Sequence, residues 1–343
     1  MKIVNSVAFC LSLLVPIGAH ASESLTVVDW GGIFQEGLKQ VLYDPYTRQT
    51  GNQIVLDTWQ GGIGTLRAKL ASGVSNWDVI EVEAEEEALG CQDGLFKPIN
   101  WEVVGYKSDY IPGAATECGV GTILWSVGLA WNKDKTVEAP KSWKDFFDLK
   151  KYPGKRSLRR GPKYALEIAL LGDGVAPADL YKVLNTPEGV DRAFAKLDTI
   201  KDNLIFWEGG SQPIQTLTSG DTVLSAIYSS DFLKSQQDGV NVGMLWDESF
   251  YQTDYWVVAA NAPEKETNEF LALWSKPETQ ASFVKIRDYG PANSKAVPLI
   301  DKTRLKDLPI APENIAHAIQ TDSGFWVAHI EELNARFEQW SSK

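Results

Sequence analysis

From residue 25 onward, short apolar runs alternate with stretches whose apolar residues fall at helical spacing, and this alternation constrains the fold more than any other feature. LTVVD opens the series and runs into Trp30, Gly31 and Gly32, after which helical spacing continues to Leu42. GNQIVLDTW reads as a second strand, GTLRAKLAS as a helix, and WDVIEVEA as a third strand leading into Glu85, Glu86 and Glu87. From about Trp143 the style repeats: SWKDFFDLKKYPGKRSLRR, the helical GPKYALEIALLGDG, then PEGVDRAFAKLDTI, the strand-like NLIFWEGG, and DTVLSAIYS. DYWVVAANA adds a strand followed by the helical NEFLALWS. The tail FWVAHIEELNARFEQW predicts an amphipathic helix with Phe325, Ile330, Leu333, Phe337 and Trp340 on one face. Such a series builds βαβ units on a parallel sheet, with ligands at the carboxyl ends of strands. At 343 residues the chain exceeds what one core usually supports, which predicts two lobes.

The first 21 residues carry Lys2, a short apolar run broken by Pro16, and Ala19-His20-Ala21, the pattern of a cleaved secretory signal. Cys10 lies inside the apolar run, away from any cleavage junction, and is not read as a lipid anchor. No later stretch reaches the apolar length of a membrane span, so the mature chain is expected to be soluble and exported. Two cysteines then remain, Cys91 and Cys118, and an even count in an oxidising compartment predicts one disulfide. The formal charge is −12, and −13 once Lys2 leaves with the leader. That sign repels nucleic acid and anionic membranes and is compatible with cationic ligands.

Catalytic and metal chemistry is poorly represented. Of three histidines, His20 leaves with the leader, and His317 and His329 are far in sequence from any cysteine, which argues against zinc. Neither a Gly-x-Ser-x-Gly elbow nor a phosphate-binding glycine loop occurs, and no cofactor is expected. Paired carboxylates for glycoside chemistry stay open, because sequence does not reveal their spacing. What stands out is aromatic and acidic residues near predicted strand ends: Trp30, Trp125, Trp207, Tyr228, Tyr255, Trp256 and Tyr289, with Glu83, Glu85, Glu117, Glu208, Asp231 and Asp254. Aromatic faces attract ammonium groups, and carboxylates pair with them. Arg159 and Arg160 stand before Gly161-Pro162, where a guanidinium could clamp a carboxylate. The Trp30-Gly31-Gly32 corner has two readings: a tight turn beside a core tryptophan, or a helix start opened to a ligand.

The order VVDWGG, WDVIEVEA, GCQDGLF, ECGVGT, IYSSDF, DYWVVAANAPEK, YGPAN and DSGFWVAHIEELNARFEQW resembles the spermidine/putrescine-type periplasmic solute-binding proteins of ABC transporters, over essentially the whole mature chain. The resemblance implies an α/β, two-lobed type II periplasmic-binding-protein fold with its ligand cleft between lobes. The first lobe would comprise residues 22–131 and 257–303, the second 132–256 and 304–343, with crossovers near Trp131-Asn132 and Trp256-Val257 and hinge-like closure. By position, Trp30 matches the family's stacking tryptophan, Tyr228 an aromatic of the second lobe, Asp254 the amine-pairing carboxylate, and Tyr289 the aromatic of the Tyr-Gly-Pro turn. Glu83 stands where the family lines the pocket with small polar or aromatic groups. Polyamine binders carry acids near residues 159–162, whereas this chain carries arginines there. That departure implies either a polyamine or an ω-amino acid such as 4-aminobutanoate, the latter using Asp254 for its amine and Arg160, or Arg159, for its carboxylate. The expected function is periplasmic capture of a small amine-bearing solute by a monomer that serves an ABC permease, without enzymatic activity. A secreted glycan hydrolase and a ligand-presenting sensor of the same fold are the alternatives.

Overall fold

The computed structural model describes residues 24–70 and 75–342; the expected signal peptide, residues 1–21, lies outside the described residues. Ten strands form one sheet: β1 (Ser24–Asp29), β2 (Gln53–Thr58), β3 (Val79–Val82), β4 (Gly119–Asn132), β5 (Arg156–Arg159), β6 (Leu204–Trp207), β7 (Leu224–Tyr228), β8 (Val242–Val258), β9 (Gly290–Pro291) and β10 (Ile319–Gln320). Their order is β2-β1-β3-β8-β4-β7-β5-β6, with β10 beside β8 and β9 beside β4. The βαβ expectation describes the two wings. β1 pairs in parallel with β2 and β3, and β5 pairs in parallel with β6 and β7. Leu25, Val27, Val28, Val79, Ile80 and Val82 are all buried, as a parallel sheet covered on both faces requires.

The wings are joined by antiparallel strands. β8 pairs with β3 through Tyr255–Val258, with β4 along most of its length, and β4 pairs with β7 through Val127–Trp131. Sequence reading found only the DYWVVAANA end of β8, because the polar DESFYQT upstream hides the apolar periodicity. Glu248, at φ 60°, marks the irregular point inside it. Trp125, expected near a strand end, lies in the interior of β4, which is buried along nearly its whole length and so shows no alternation to read.

The tail helix, Ser323–Ser341, buries Phe325, Trp326, Leu333 and Phe337, with Ile330 and Trp340 half-buried. Trp326 widens the expected face: its Nε1 donates to Glu167 Oε1 at 2.8 Å, while Phe337 packs edge-on against Phe206 with ring centres 5.4 Å apart. Near the other wing, Cys91, in the last turn of the helix Ala84–Gln92, is bonded to Cys118 at the entry to β4, with Cα atoms 5.8 Å apart. This link ties the helix that carries Glu85, Glu86 and Glu87 to a central strand. The two cysteines are 27 residues apart, and crosslinks closing loops of that size contribute about 2–4 kcal/mol. Replacing both by serine should lower the urea midpoint, with a steeper slope as the unfolded chain loses the constraint; an unmoved midpoint would show that the link adds no stability.

Candidate functional site

The Trp30 corner divides its labour. Gly31 has φ +73°, and a Cβ there would stand 2.9 Å from Thr58 Cγ2, so geometry requires glycine. Its N–H donates to Asp29 Oδ1 at 2.7 Å, and buried Asp29 also accepts from Gln35 Nε2 at 3.1 Å and from the Tyr43 hydroxyl. Burial pushes the Asp29 carboxyl up to about 6 despite these donors. Trp30 does not join the core fully. One face stacks on Trp59 at 5.5 Å, itself anchored by Nε1 to the Glu81 carbonyl at 2.8 Å, while the ring borders a cavity of about 420 Å³.

That cavity collects residues from both wings: Trp30 and Phe34 from the first corner, Arg159 from the end of β5, Tyr228 and Asp231 after β7, Asp254 from β8, and Tyr289. Its volume suits a small ligand. Asp254 receives two indole donors, Trp30 Nε1 at 3.0 Å and Trp125 Nε1 at 2.6 Å. Burial, followed by the negative charge of Glu83, pushes its carboxyl well above the usual range in spite of those donors. Tyr228 is gripped edge-on by Trp125 and Trp207, each with ring centres 5.2 Å away, and Tyr289 lies flat against Phe283. Asp231 has no hydrogen bond or ion pair among the described residues. Burial raises it to about 6, tempered by Arg287. Gly210 lets this region close: a Cβ there would come within 2.7 Å of Asp231 Oδ2.

The arginines separate. Arg159 lines the cavity, its Nη1 donating to Glu83 Oε1 at 2.8 Å. Arg160, which the sequence suggested as the carboxylate anchor, does not line it. Its Nη2 donates to Glu338 at 2.7 Å on the tail helix, and its side chain is 40% exposed. The reason is strand alternation: successive side chains leave a strand end on opposite sides. Arg160 borders a second cavity, of about 460 Å³, between the tail helix and the loop before Ile63. Every charged group lining that cavity already has a partner: Arg67 meets Asp93 and Glu331, and Lys163 meets Glu83 and Glu85. Glu86 there accepts from the Gly62 and Glu83 N–H groups, and burial beside Glu83 and Glu85 raises it to about 8.

Trp30, Tyr228, Asp254 and Tyr289 thus meet in one cavity, as does Glu83, whose carboxylate faces Arg159 and Lys163. Sequence reading passed over Lys163 and Phe34. A signal for Lys163 existed: a lysine just before a helix, here Ala165–Gly172, meets the positive end of the helix dipole and needs an anionic partner elsewhere. Among the described residues no cluster of histidine, cysteine, aspartate and glutamate could hold a metal ion, and no helix is long and apolar enough to cross a membrane.

Comparison with known proteins places this geometry. Residues 42–312 match the family model described as bacterial extracellular solute-binding protein. A gamma-aminobutyric acid-binding protein of Pseudomonas aeruginosa is 43% identical over 323 residues, covering 94% of this chain and 92% of the relative. Among solved structures, MotA of A. tumefaciens B6 in complex with glucopine superposes with a TM-score of 0.87 at 28% identity, covering 93% of this chain and 99% of that one. The Atu4243-GABA receptor gives a TM-score of 0.84 at 30% identity, covering 94% and 98%. These are two-lobed binding proteins, and the chain belongs with them to the bacterial extracellular solute-binding protein family, whose members bind ligands for transport and are not enzymes.

Proposed function

We propose that this protein is the periplasmic capture component of an ABC importer and that its ligand is a linear ω-amino acid of the 4-aminobutanoate class. The observation that carries the reading is that one aromatic-walled cavity is lined by charges of both signs: the Arg159 guanidinium, and the carboxyls of Asp254 and of Asp231, which has no hydrogen bond or ion pair among the described residues. The ligand carboxylate pairs with Arg159, the ammonium lies between Asp231 and Asp254, and the methylenes rest against Trp30, Tyr228 and Tyr289. A diamine would bring its second ammonium toward a fixed cation, which disfavours the polyamine alternative. The named ligand of the 43% identical relative supports the same class.

In this reading the leader, residues 1–21, is removed on export and the mature protein acts as a monomer. The lobes are residues 22–131 with 257–303 and residues 132–256 with 304–343. The exchange of strand neighbours along β4 and β8 supports a chain that crosses between lobes on these two strands. Closure over ligand is then a hinge motion about them.

Calorimetry tests the reading directly. Wild-type protein should bind 4-aminobutanoate and ignore putrescine; the reverse preference would overturn the ligand class. Arg159→Met removes a charge-assisted contact of about 1.5–3 kcal/mol and should weaken 4-aminobutanoate by roughly 10- to 150-fold. Arg160→Met breaks two exposed pairs, with Glu338 and with Glu208 at the cavity rim, so affinity should stay within about fivefold.

The pH dependence has a definite sign. Asp231 titrates near 6 in the folded protein, above the unfolded carboxylate value, so the empty protein holds its proton at pH values where the unfolded chain has lost it. Its contribution to stability therefore falls as pH rises between the two values, while affinity for an ammonium group rises through about 6. Asp231→Asn should flatten this rise in a titration of affinity against pH; an unchanged profile would remove Asp231 from the site.

A further inference from the structure

Two cations share one carboxylate in the wall between the cavities. Glu83 Oε1 accepts from Arg159 at 2.8 Å, and Glu83 Oε2 accepts from Lys163 Nζ at 2.7 Å. Lys163 also donates to Glu85 Oε1 at 2.6 Å, and Gln252 Nε2 donates to Glu85 Oε2 at 3.0 Å. The side chains of Lys163, Glu83 and Glu85 are 7%, 9% and 6% exposed, so solvent screens these contacts little. Burial alone would raise the Glu83 carboxyl, but Arg159 and Lys163 together hold it well below its ordinary range.

An arginine facing a carboxylate normally closes a two-toothed pair, with both oxygens taken by parallel N–H donors. Here that pair is not closed: Arg159 Nη1 meets Oε1, while Lys163 Nζ lies on Oε2. Arg159 touches Glu83 through Nη1 alone, and the rest of its fork has no hydrogen bond among the described residues. The charges support the same conclusion. Arg159, Lys163, Glu83 and Glu85 sum to zero, whereas without Lys163 the wall would be net negative and would favour cations.

The backbone around Lys163 is held against local preference. Gly161 has φ +128°, and Tyr164, a bulky residue, has φ 67°. The Tyr164 ring is packed edge-on against Trp125 at 5.8 Å, and its hydroxyl donates to Gln252 Oε1 at 3.2 Å, so the turn is secured by the same group of residues that surrounds Lys163.

We propose that Lys163 is a positioning residue for ligand selection: by holding the second oxygen of Glu83 it keeps Arg159 open to a ligand carboxylate, and so sets the preference for ω-amino acids over diamines. This deepens the function proposed above and rests on Arg159 as the carboxylate anchor. Without Lys163, Glu83 swings onto Arg159 as an internal competitor.

Calorimetric titration of 4-aminobutanoate and putrescine into the full mature protein tests it. Lys163→Met should weaken 4-aminobutanoate about tenfold or more and lower its affinity ratio over putrescine. Lys163→Arg should keep the ratio, and Lys163→Met combined with Glu83→Gln, which removes the competitor's charge, should restore most of it. Glu83→Gln alone should move the ratio the opposite way, and it decides the matter should Lys163→Met fail to fold. Equal weakening of both ligands, or no rescue in a folded double variant, would overturn the inference while leaving the function intact. Wild-type protein that binds no ω-amino acid would overturn the functional reading itself, and this inference with it.

Discussion

The antiparallel pairing of β4 with β8 is the constraint on which the rest of the structure depends. Both strands are long, 14 and 17 residues, and each exchanges neighbours along its length. β8 meets β3 at one end, and β4 meets β7 further along, so the two parallel wings are fixed to a common pair. Glu83 follows β3 and Arg159 ends β5, and three strands lie between β3 and β5 in the sheet order. In a flat sheet those strands would stand roughly 19 Å apart. Their contact at 2.8 Å requires the wings to fold toward each other across the β4–β8 pair, and that fold creates the cavity.

In and beyond the cavity most buried charges are already engaged, and those left over lie in it. A buried charge is costly unless it is paired and hydrogen-bonded. Asp29 is spent on holding the Trp30 corner, Glu85 on Lys163 and Gln252, and Glu167 on the indole of Trp326 beneath the tail helix. Asp254 has neutral indole donors as its partners, which fix its direction without neutralising it. Asp231 has no such partner, and Arg159 is only partly engaged. The aromatic side chains around these groups lower the local polarity, which strengthens ionic contacts made there.

The second cavity shows why charged lining alone does not make a site. It has Arg67, Arg159, Arg160 and Lys163 in its walls, yet each already meets a carboxylate, and Arg159 borders both cavities. A ligand entering there would have to break pairs that are made, whereas the cavity under Trp30 has donors and acceptors left over.

By itself the sequence determined the class of fold, through the alternation of strand and helix patterns, and it also determined most of the aromatic and acidic residues that meet in the cavity. Trp30 and Tyr228 were legible because they stand at the carboxyl ends of strands whose apolar runs are plain, Asp254 because it opens the apolar stretch at the end of β8, and the cysteine pair from its even count. Which arginine lines the cavity under Trp30 was not, because Arg159 and Arg160 differ only by the side on which they leave the end of β5, and register is a property of the assembled sheet. Lys163 and the interior place of Trp125 were hidden for a related reason: their partners, Glu83, Glu85 and Asp254, are distant in the chain. Only the tertiary structure decided these, since the free energy of a buried charge depends on which opposite charge the folded sheet brings to it.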